Sequence, residues 1–334
     1  MPEGSRDGRK CRRFLILAVK LAVAGGLVYW IFRQVKWSDV LAALSAFRPG
    51  FGVAAAVVSL VSVALSALRW RVLLLTVGIR SGVIDVICLG YMGDFFSMAV
   101  PGNVGGDLLK AYYVSKRDGR YGTALLSVFM DRVIGLYALA ILAGVMLLFL
   151  VFSGGGSADV SVPAGVTVGI VLTGITLFAV LVRGGTLRRV ATTGRVGRLL
   201  GRFRTVEELG TAMLELSRCP AAVVRAMGLS AITQTLQICS VLLIGLGLGL
   251  RVPLLHYFLC VPLILILSSV PITPGSIGVT EELFLLYFAG QAAPGGLLAL
   301  ALLNRVLLLL SVVVGAVFAV VRPVGQVGQE DGAS

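Results

Sequence analysis

Two segments of the chain repeat the same order of proline, glycine and charged residues. The first reads V-P-G-N-V-G-G-D at 100–107 and is followed by D-R at 131–132; the second reads T-P-G-S-I-G-V-T-E at 273–281 and is followed by N-R at 304–305. The step from the proline to the D-R or N-R pair is 30 residues in both. Arginine binds phosphate through a planar pair of donors, and glycine can expose backbone N–H groups to an anion. The spacing predicts an internal repeat with an offset of 173 residues and a binding site between its halves.

The elements that carry these residues are predicted to be membrane helices. Of the 334 residues, 57% are hydrophobic, which is more than a soluble protein of this size can bury. About 20 apolar residues cross the hydrocarbon core as a helix. The candidate runs are 14–32, 51–68, 83–100, 122–152, 162–182, 221–250, 254–270 and 297–321. We therefore predict an all-α integral membrane protein, a polytopic helical bundle.

The net charge of +13 is concentrated in two segments. Residues 6–13 hold five basic side chains, and the loop 183–205 holds seven arginines. Such clusters occur in nucleic-acid-binding proteins, but the positive-inside rule explains them here because both flank membrane runs. We expect a cytoplasmic N-terminus, C-terminus and basic loop, in a bacterial-type inner (plasma) membrane, and no nucleic-acid partner.

The run 83–100 lies between two basic segments that both favour the cytoplasm, so a single crossing does not fit. Proline removes a backbone donor and glycine relaxes the backbone, which suits a helix that enters the membrane, breaks and returns. The run 254–270 repeats the pattern from the other side. We predict two re-entrant segments, with 101–107 and 274–281 non-helical, close together and enclosed at membrane depth. The alternative is eight ordinary crossings, with some basic loops outside.

This topology makes the two halves run in opposite directions. We predict a single membrane domain, 1–334, with repeat units near 50–152 and 223–325 related by a two-fold axis in the membrane plane. Transporters built from inverted repeats place their site at the midplane between the halves.

Arg132 and Arg305 fall deep within apolar runs, about 15 Å from the end for a residue ten positions in. A charge at this depth is costly unless partnered, so such residues face a cavity or a carboxylate. Candidate partners are Asp94, Asp107, Asp131, Glu281 and Glu282. Two interpretations stay open: each arginine braces its own loop, or both bind an anionic headgroup.

The predicted substrate-binding residues are those of the two motifs and their neighbours. They are Pro101, Gly102, Gly105, Gly106, Asp107, Lys110, Asp131, Arg132, Pro274, Gly275, Gly278, Glu281, Asn304 and Arg305. The glycines also suit close helix packing. Arg69-Trp70-Arg71 is interpreted as an interfacial anchor at a helix end, and the alternative is a role in headgroup entry. One histidine and scattered cysteines give no metal site, and we expect no cofactor, catalytic residue or enzymatic activity.

Arg69-Trp70, the segment 100–107, the pair 131–132 and the segment 271–281 together resemble the flippase-like family, also called the lysylphosphatidylglycerol synthase transmembrane-region family. The resemblance covers about residues 14–321. It implies a membrane domain that moves or handles lipids. Members can also carry a soluble aminoacyl-transferase domain, which we do not expect after Val321. Ser276 departs from the family pattern, which often has glycine there.

Three functions follow in order of preference. The first is a lipid translocase that moves a phospholipid or a lipid-linked anionic headgroup between leaflets, with membrane lipids as partners and protein partners unknown. The second is an integral-membrane transferase acting on polyprenyl or phospholipid substrates. The third is a non-transporting accessory subunit of envelope lipid synthesis.

Overall fold

A computed structural model describes residues 35–99, 105–152, 219–270 and 273–321, together with Tyr29 and Gly169. The helices are α1 (Trp37–Ser45), α2 (Pro49–Thr76), α3 (Val83–Ala99), α4 (Gly105–Asp118), α5 (Tyr121–Phe152), α6 (Pro220–Gly247), α7 (Leu254–Ser268), α8 (Val279–Tyr287) and α9 (Pro294–Val321), with a 3-10 turn at Pro274–Ser276. The described residues contain helices and no strand, which confirms the all-α prediction. Apart from Tyr29 and Gly169, the predicted runs 14–32 and 162–182 lie outside the described residues, as do the basic loop, Pro101 and Gly102.

Four of the described helices are long and apolar enough to cross a membrane: α2, α5, α6 and α9. The chain is a multi-pass membrane protein. Two apolar helices are shorter, α3 with 17 residues and α7 with 15. These are the two runs predicted to be re-entrant, and both are shorter than the roughly 20 residues that a full crossing needs.

The helices pack in pairs that cross between the two halves of the chain. α2 lies along α6, α3 packs against α9, and α7 packs against α5. One apolar core centres on α7, α8 and the facing parts of α6 and α9, with Tyr257, Phe284 and Phe288 fully buried. A second core lies between α2, α3, α4 and α5 and contains Trp70 and Met92. The polar residues lie between these cores.

The short helix α1 follows the pattern Trp37, Val40, Leu41, Leu44, which predicts an interfacial helix. Val40 is fully buried and packs with Leu298 near the start of α9. Trp37 and Leu41 stay exposed. α1 thus covers the N-terminal end of α9.

The prediction that 101–107 and 274–281 are non-helical throughout is wrong at the C-terminal ends of both segments. α4 begins at Gly105 and α8 begins at Val279. At α8, Gly278 precedes the helix with φ 82°, and the Glu281 carboxylate accepts the Gly278 N–H at 2.8 Å. A carboxylate in the first turn satisfies a free N–H and complements the positive end of the helix dipole. Asp107 lies in the first turn of α4.

Candidate functional site

A cavity of about 470 Å³ lies between the two halves. Seven charged side chains line it: Arg69, Asp94, Asp107, Lys110, Asp131, Arg132 and Arg305. Neutral polar residues from α2, α6, α7 and the 3-10 turn complete much of the wall. Of the predicted binding residues, Gly275 and Asn304 also line this cavity, whereas Gly105, Gly106, Gly278 and Glu281 do not. Parts of both motif segments therefore meet at one space.

Each motif arginine pairs with a carboxylate in the first turn of the helix that follows its own Pro-Gly motif. The Arg132 Nε donates to the Asp107 Oδ2 at 2.7 Å. The Arg305 Nε donates to the Glu281 Oε1. The same chemistry thus occurs in both halves, although the two carboxylates differ by one position when the halves are aligned at an offset of 173.

The two arginines differ in how far their side chains are exposed. Arg305 also donates to the backbone carbonyls of Gly275 and Ser276, at 3.0 and 3.1 Å, and its side chain is 18% exposed. It ties α9 to the 3-10 turn and to α8. The Arg132 side chain is 45% exposed and faces the cavity. The geometry gives Arg305 a bracing role and leaves Arg132 accessible to a ligand.

Arg69 and Trp70 are not an interfacial anchor, so that interpretation is corrected. α2 continues to Thr76, which places both residues inside the helix, and both are buried. Arg69 binds Asp131 through two hydrogen bonds, of 2.7 and 2.9 Å, and donates to the Ser230 hydroxyl of α6 at 2.6 Å. The Trp70 Nε1 donates to the Ser127 hydroxyl. The apolar residues 72–75 that follow the arginine were the signal that the helix continues.

Close packing, not ligand contact, explains Gly106. A Cβ on this residue would collide with the Gly93 carbonyl oxygen and the Ser97 hydroxyl of α3. α4 and α3 therefore approach too closely for any side chain, as small residues allow in membrane helix pairs.

The second motif needs glycine for backbone conformation. Gly275 has φ 60° and Gly278 has φ 82°, both in the left-handed region. Ser276 has φ 53° although it carries a side chain. Its hydroxyl donates to the Ser268 carbonyl at 2.6 Å. This conformation gives a physical reason why glycine suits this position.

Two charged groups in the cavity stand apart from the arginine pairs. Within the described residues, neither Lys110 nor Asp94 has a salt bridge within 4.0 Å. The Lys110 ammonium lies 6.0 Å from the centre of the Trp70 ring. Asp94 and Lys110 line the same cavity, as does Ser311. Lys110 can bind an anion, and Asp94 can accept a proton or a hydrogen bond.

The neutral polar wall of the cavity was not predicted from the sequence. Ser59, Ser62 and Ser66 lie on one face of α2, at spacings of three and four. Thr233, Gln234 and Gln237 lie opposite them on α6. The spacing was the available signal, but the apolar residues between them make both segments read as ordinary membrane runs.

In the parts of the chain that the structure describes, no three histidine, cysteine or acidic side chains come together in a way that could hold a metal ion. Asn304, the counterpart of Asp131, lines the cavity, and its side chain makes no hydrogen bond to a described residue.

Residues 17–315 match the family model described as Lysylphosphatidylglycerol synthase TM region. This match confirms the resemblance inferred from the motifs. The chain is also 27% identical over 317 residues to a protein named Glycosyltransferase AglD from Haloferax volcanii, an alignment that covers 84% of this chain and 50% of that protein. The chain spans about half the length of this curated relative. The expectation of no enzymatic activity is corrected by this comparison, because the matched relative is named as an enzyme.

Proposed function

Because the chain belongs to the lysylphosphatidylglycerol synthase transmembrane-region family, we propose that it is an integral-membrane transferase component of envelope lipid synthesis. Its substrate is a polyprenyl phosphate or phospholipid, held with its headgroup in the cavity and its chains in the bilayer. The relative named as a glycosyltransferase supports this function over simple lipid movement.

The observation that carries the proposal is that Lys110 and Asp94, which stand outside the arginine ion pairs, line the same cavity. Lys110 and the exposed part of Arg132 bind the substrate phosphate, because both cations face the cavity. Asp94 accepts the proton of an acceptor hydroxyl as that oxygen attacks the transferred group. The bond between the transferred group and the phosphate oxygen breaks, and the departing phosphate stays beside the two cations.

The test uses purified protein in nanodiscs and a short polyprenyl phosphate that carries a tritium-labelled hexose. The wild type is expected to move the label to an acceptor lipid present in the nanodisc, phosphatidylglycerol. Asp94→Asn, which keeps the side-chain size and the neighbouring Ser311, is expected to bind the labelled lipid but lose transfer by about 100-fold or more. If Asp94→Asn transfers the label at the wild-type rate, Asp94 is not the base. If neither the wild type nor Asp94→Asn binds the labelled lipid, the cavity is not the substrate site.

A second candidate function is lipid translocation, and the arrangement of the repeat supports it. Adding 173 to the starts of α2, α3, α4 and α5 gives 222, 256, 278 and 294, against 220, 254, 279 and 294 for α6, α7, α8 and α9. In this alignment α3 is equivalent to α7, and α5 is equivalent to α9. Each short helix packs on the long helix of the other half, since α3 contacts α9 and α7 contacts α5.

Direction supports the inverted form of this repeat. The Arg48 N–H at the start of α2 donates to the Gly247 carbonyl at the end of α6. Further along, Ser62 pairs with Gln237 and Arg69 with Ser230, so these repeat-related helices run antiparallel. We propose inverted units near 50–152 and 223–325 within one membrane domain, with the cavity between them.

The two functions separate in liposomes that contain a fluorescent phospholipid. If translocation is the function, Asp94→Asn moves the lipid between leaflets at the wild-type rate, because no proton transfer is needed. If transfer is the function, neither protein accelerates the movement, while the labelled hexose assay distinguishes them.

A further inference from the structure

We infer that the neutral wall of the cavity, formed by Ser59, Ser62, Ser66, Thr233, Gln234 and Gln237, is a binding subsite for the hydroxyl groups of a polyol headgroup. This inference rests on the proposed function, whose phosphate site it extends, and it names the substrate class as a phosphate that carries a sugar or a glycerol.

The first argument is position. Repeat-related α2 and α6 run antiparallel, so Gln234 lies at about the level of Ser66 and Gln237 at the level of Ser62. Arg69 and Trp70 line the cavity, and the Lys110 ammonium lies 6.0 Å from the centre of the Trp70 ring, so this part of the cavity is charged. Ser66 and Ser62 lie roughly 5 and 10 Å from Arg69 along α2, at 1.5 Å per residue. A polyol joined to a phosphate in the charged part of the cavity would reach this wall.

The second argument is that the wall has hydrogen-bonding capacity left over. Gln237 donates through Nε2 to the Ser62 hydroxyl at 3.2 Å, and Gln234 donates through Nε2 to the Gly135 carbonyl at 3.4 Å. Among the described residues, the amide oxygens of both glutamines and the Ser59 hydroxyl have no donor or acceptor partner. Gln234 and Gln237 are half-buried, Ser59 is 8% exposed, and all three residues line the cavity. Polar residues that only joined the two helices would leave less capacity open.

The third argument is chemical type. Phosphate oxygens only accept hydrogen bonds, so amide oxygens do not suit them. An ammonium group could donate to the amides, but neutral groups at membrane depth do not compensate its charge. A hydroxyl both donates and accepts, as an amide and a serine hydroxyl do together. The wall therefore matches a row of hydroxyl groups.

The test measures binding of short-chain lipids that share two hexanoyl chains and differ in headgroup. The probes are phosphatidic acid, phosphatidylglycerol, phosphatidylinositol and phosphatidylethanolamine, added to purified protein in detergent. We expect the wild type to bind the better polyol probe about tenfold more tightly than phosphatidic acid, the effect of one to two net hydrogen bonds. The glycerol and inositol arms distinguish an open-chain polyol from a sugar-like ring.

The variants are Gln234→Leu and Gln237→Leu, with Thr235→Val as the matched control on α6 outside the cavity lining. Leucine leaves no buried partner unsatisfied at Gln237, because the Ser62 hydroxyl still donates to the Ser59 carbonyl at 2.8 Å. Each leucine variant is expected to lose the polyol preference while it binds phosphatidic acid as the wild type does. Thr235→Val should keep the preference.

Three results overturn the inference: equal binding of phosphatidic acid and both polyol probes by the wild type, a preference that survives both leucine substitutions, or tighter binding of phosphatidylethanolamine than of the polyols. Lys110→Gln separates this inference from the proposed phosphate site. It should weaken all four probes equally, and if it has no effect while the polyol preference persists, the phosphate site fails and the polyol subsite stands.

Discussion

The Arg69 guanidinium and the Asp131 carboxylate form a two-pronged ion pair between α2 and α5, with hydrogen bonds of 2.7 and 2.9 Å. Arg69 is 5% exposed, and its remaining donors reach Ser66 and Ser230. In the second half, the positions offset by 173 are Leu242 and Asn304. The second half therefore has uncharged residues at the two positions equivalent to this ion pair.

This comparison predicts the outcome of a double substitution. Arg69→Leu alone leaves the Asp131 carboxylate without its partner and is expected to destabilise the protein by about 3–5 kcal/mol. Arg69→Leu combined with Asp131→Asn copies the second half and is expected to recover most of that loss, because a buried ion pair is often replaceable by uncharged residues. Thermal unfolding in detergent measures both variants. A double variant as unstable as the single one contradicts the prediction.

A glycine substitution tests the close approach of α3 and α4. Gly106→Ala places a methyl group against the Gly93 carbonyl oxygen and is expected to cost about 1–3 kcal/mol of stability. Gly228→Ala is the matched control. Gly228 also lies inside a helix, α6, but a Cβ added there would have no atom within 4 Å. The control should be neutral or slightly stabilised through helix propensity. Equal melting temperatures for the two variants would show that the helices can separate at Gly106 without cost.

The repeated motif allowed much of this site to be predicted from the sequence, since proline, glycine, carboxylate and arginine recur at matched spacing. It placed Arg132 and Arg305 among carboxylates, and both have one. It did not predict the bond from Arg69 to Ser230, which joins residues 161 apart and depends on how α2 and α6 pack. The predicted apolar run of α2 also ended at residue 68, whereas the helix continues to Thr76. Arg69 lowers the mean hydropathy of the sequence there, although Asp131 neutralises its charge in the structure.

Two substitutions test the left-handed backbone at Ser276, which follows Pro274-Gly275 in the second motif. Ser276→Gly removes the strain of a left-handed backbone, about 1–2 kcal/mol, and also removes a hydrogen bond to Ser268 worth about 1 kcal/mol. Ser276→Ala keeps the strain and loses the same hydrogen bond. We expect the glycine variant to match or exceed the wild type and the alanine variant to be less stable by about 1 kcal/mol. The opposite order, measured by thermal unfolding, would contradict the strain argument.

The last prediction separates the two motif arginines. Arg305 binds Glu281 and two backbone carbonyls, so Arg305→Lys is expected to lower stability by about 2–3 kcal/mol, since an ammonium cannot reach all three in one plane. Binding of short-chain phosphatidic acid, counted per folded molecule, should be unchanged.

Arg132→Lys is the matched variant in the first half. Its side chain is 45% exposed, and lysine can keep one contact to Asp107, so the melting temperature should stay near that of the wild type. Phosphate binding should weaken by about fivefold or more, because the planar pair of donors is lost. The measurement is a melting curve and a binding curve on the same preparation. If both variants lose stability and neither loses binding per folded molecule, then both arginines brace the fold and Lys110 is left to bind the phosphate.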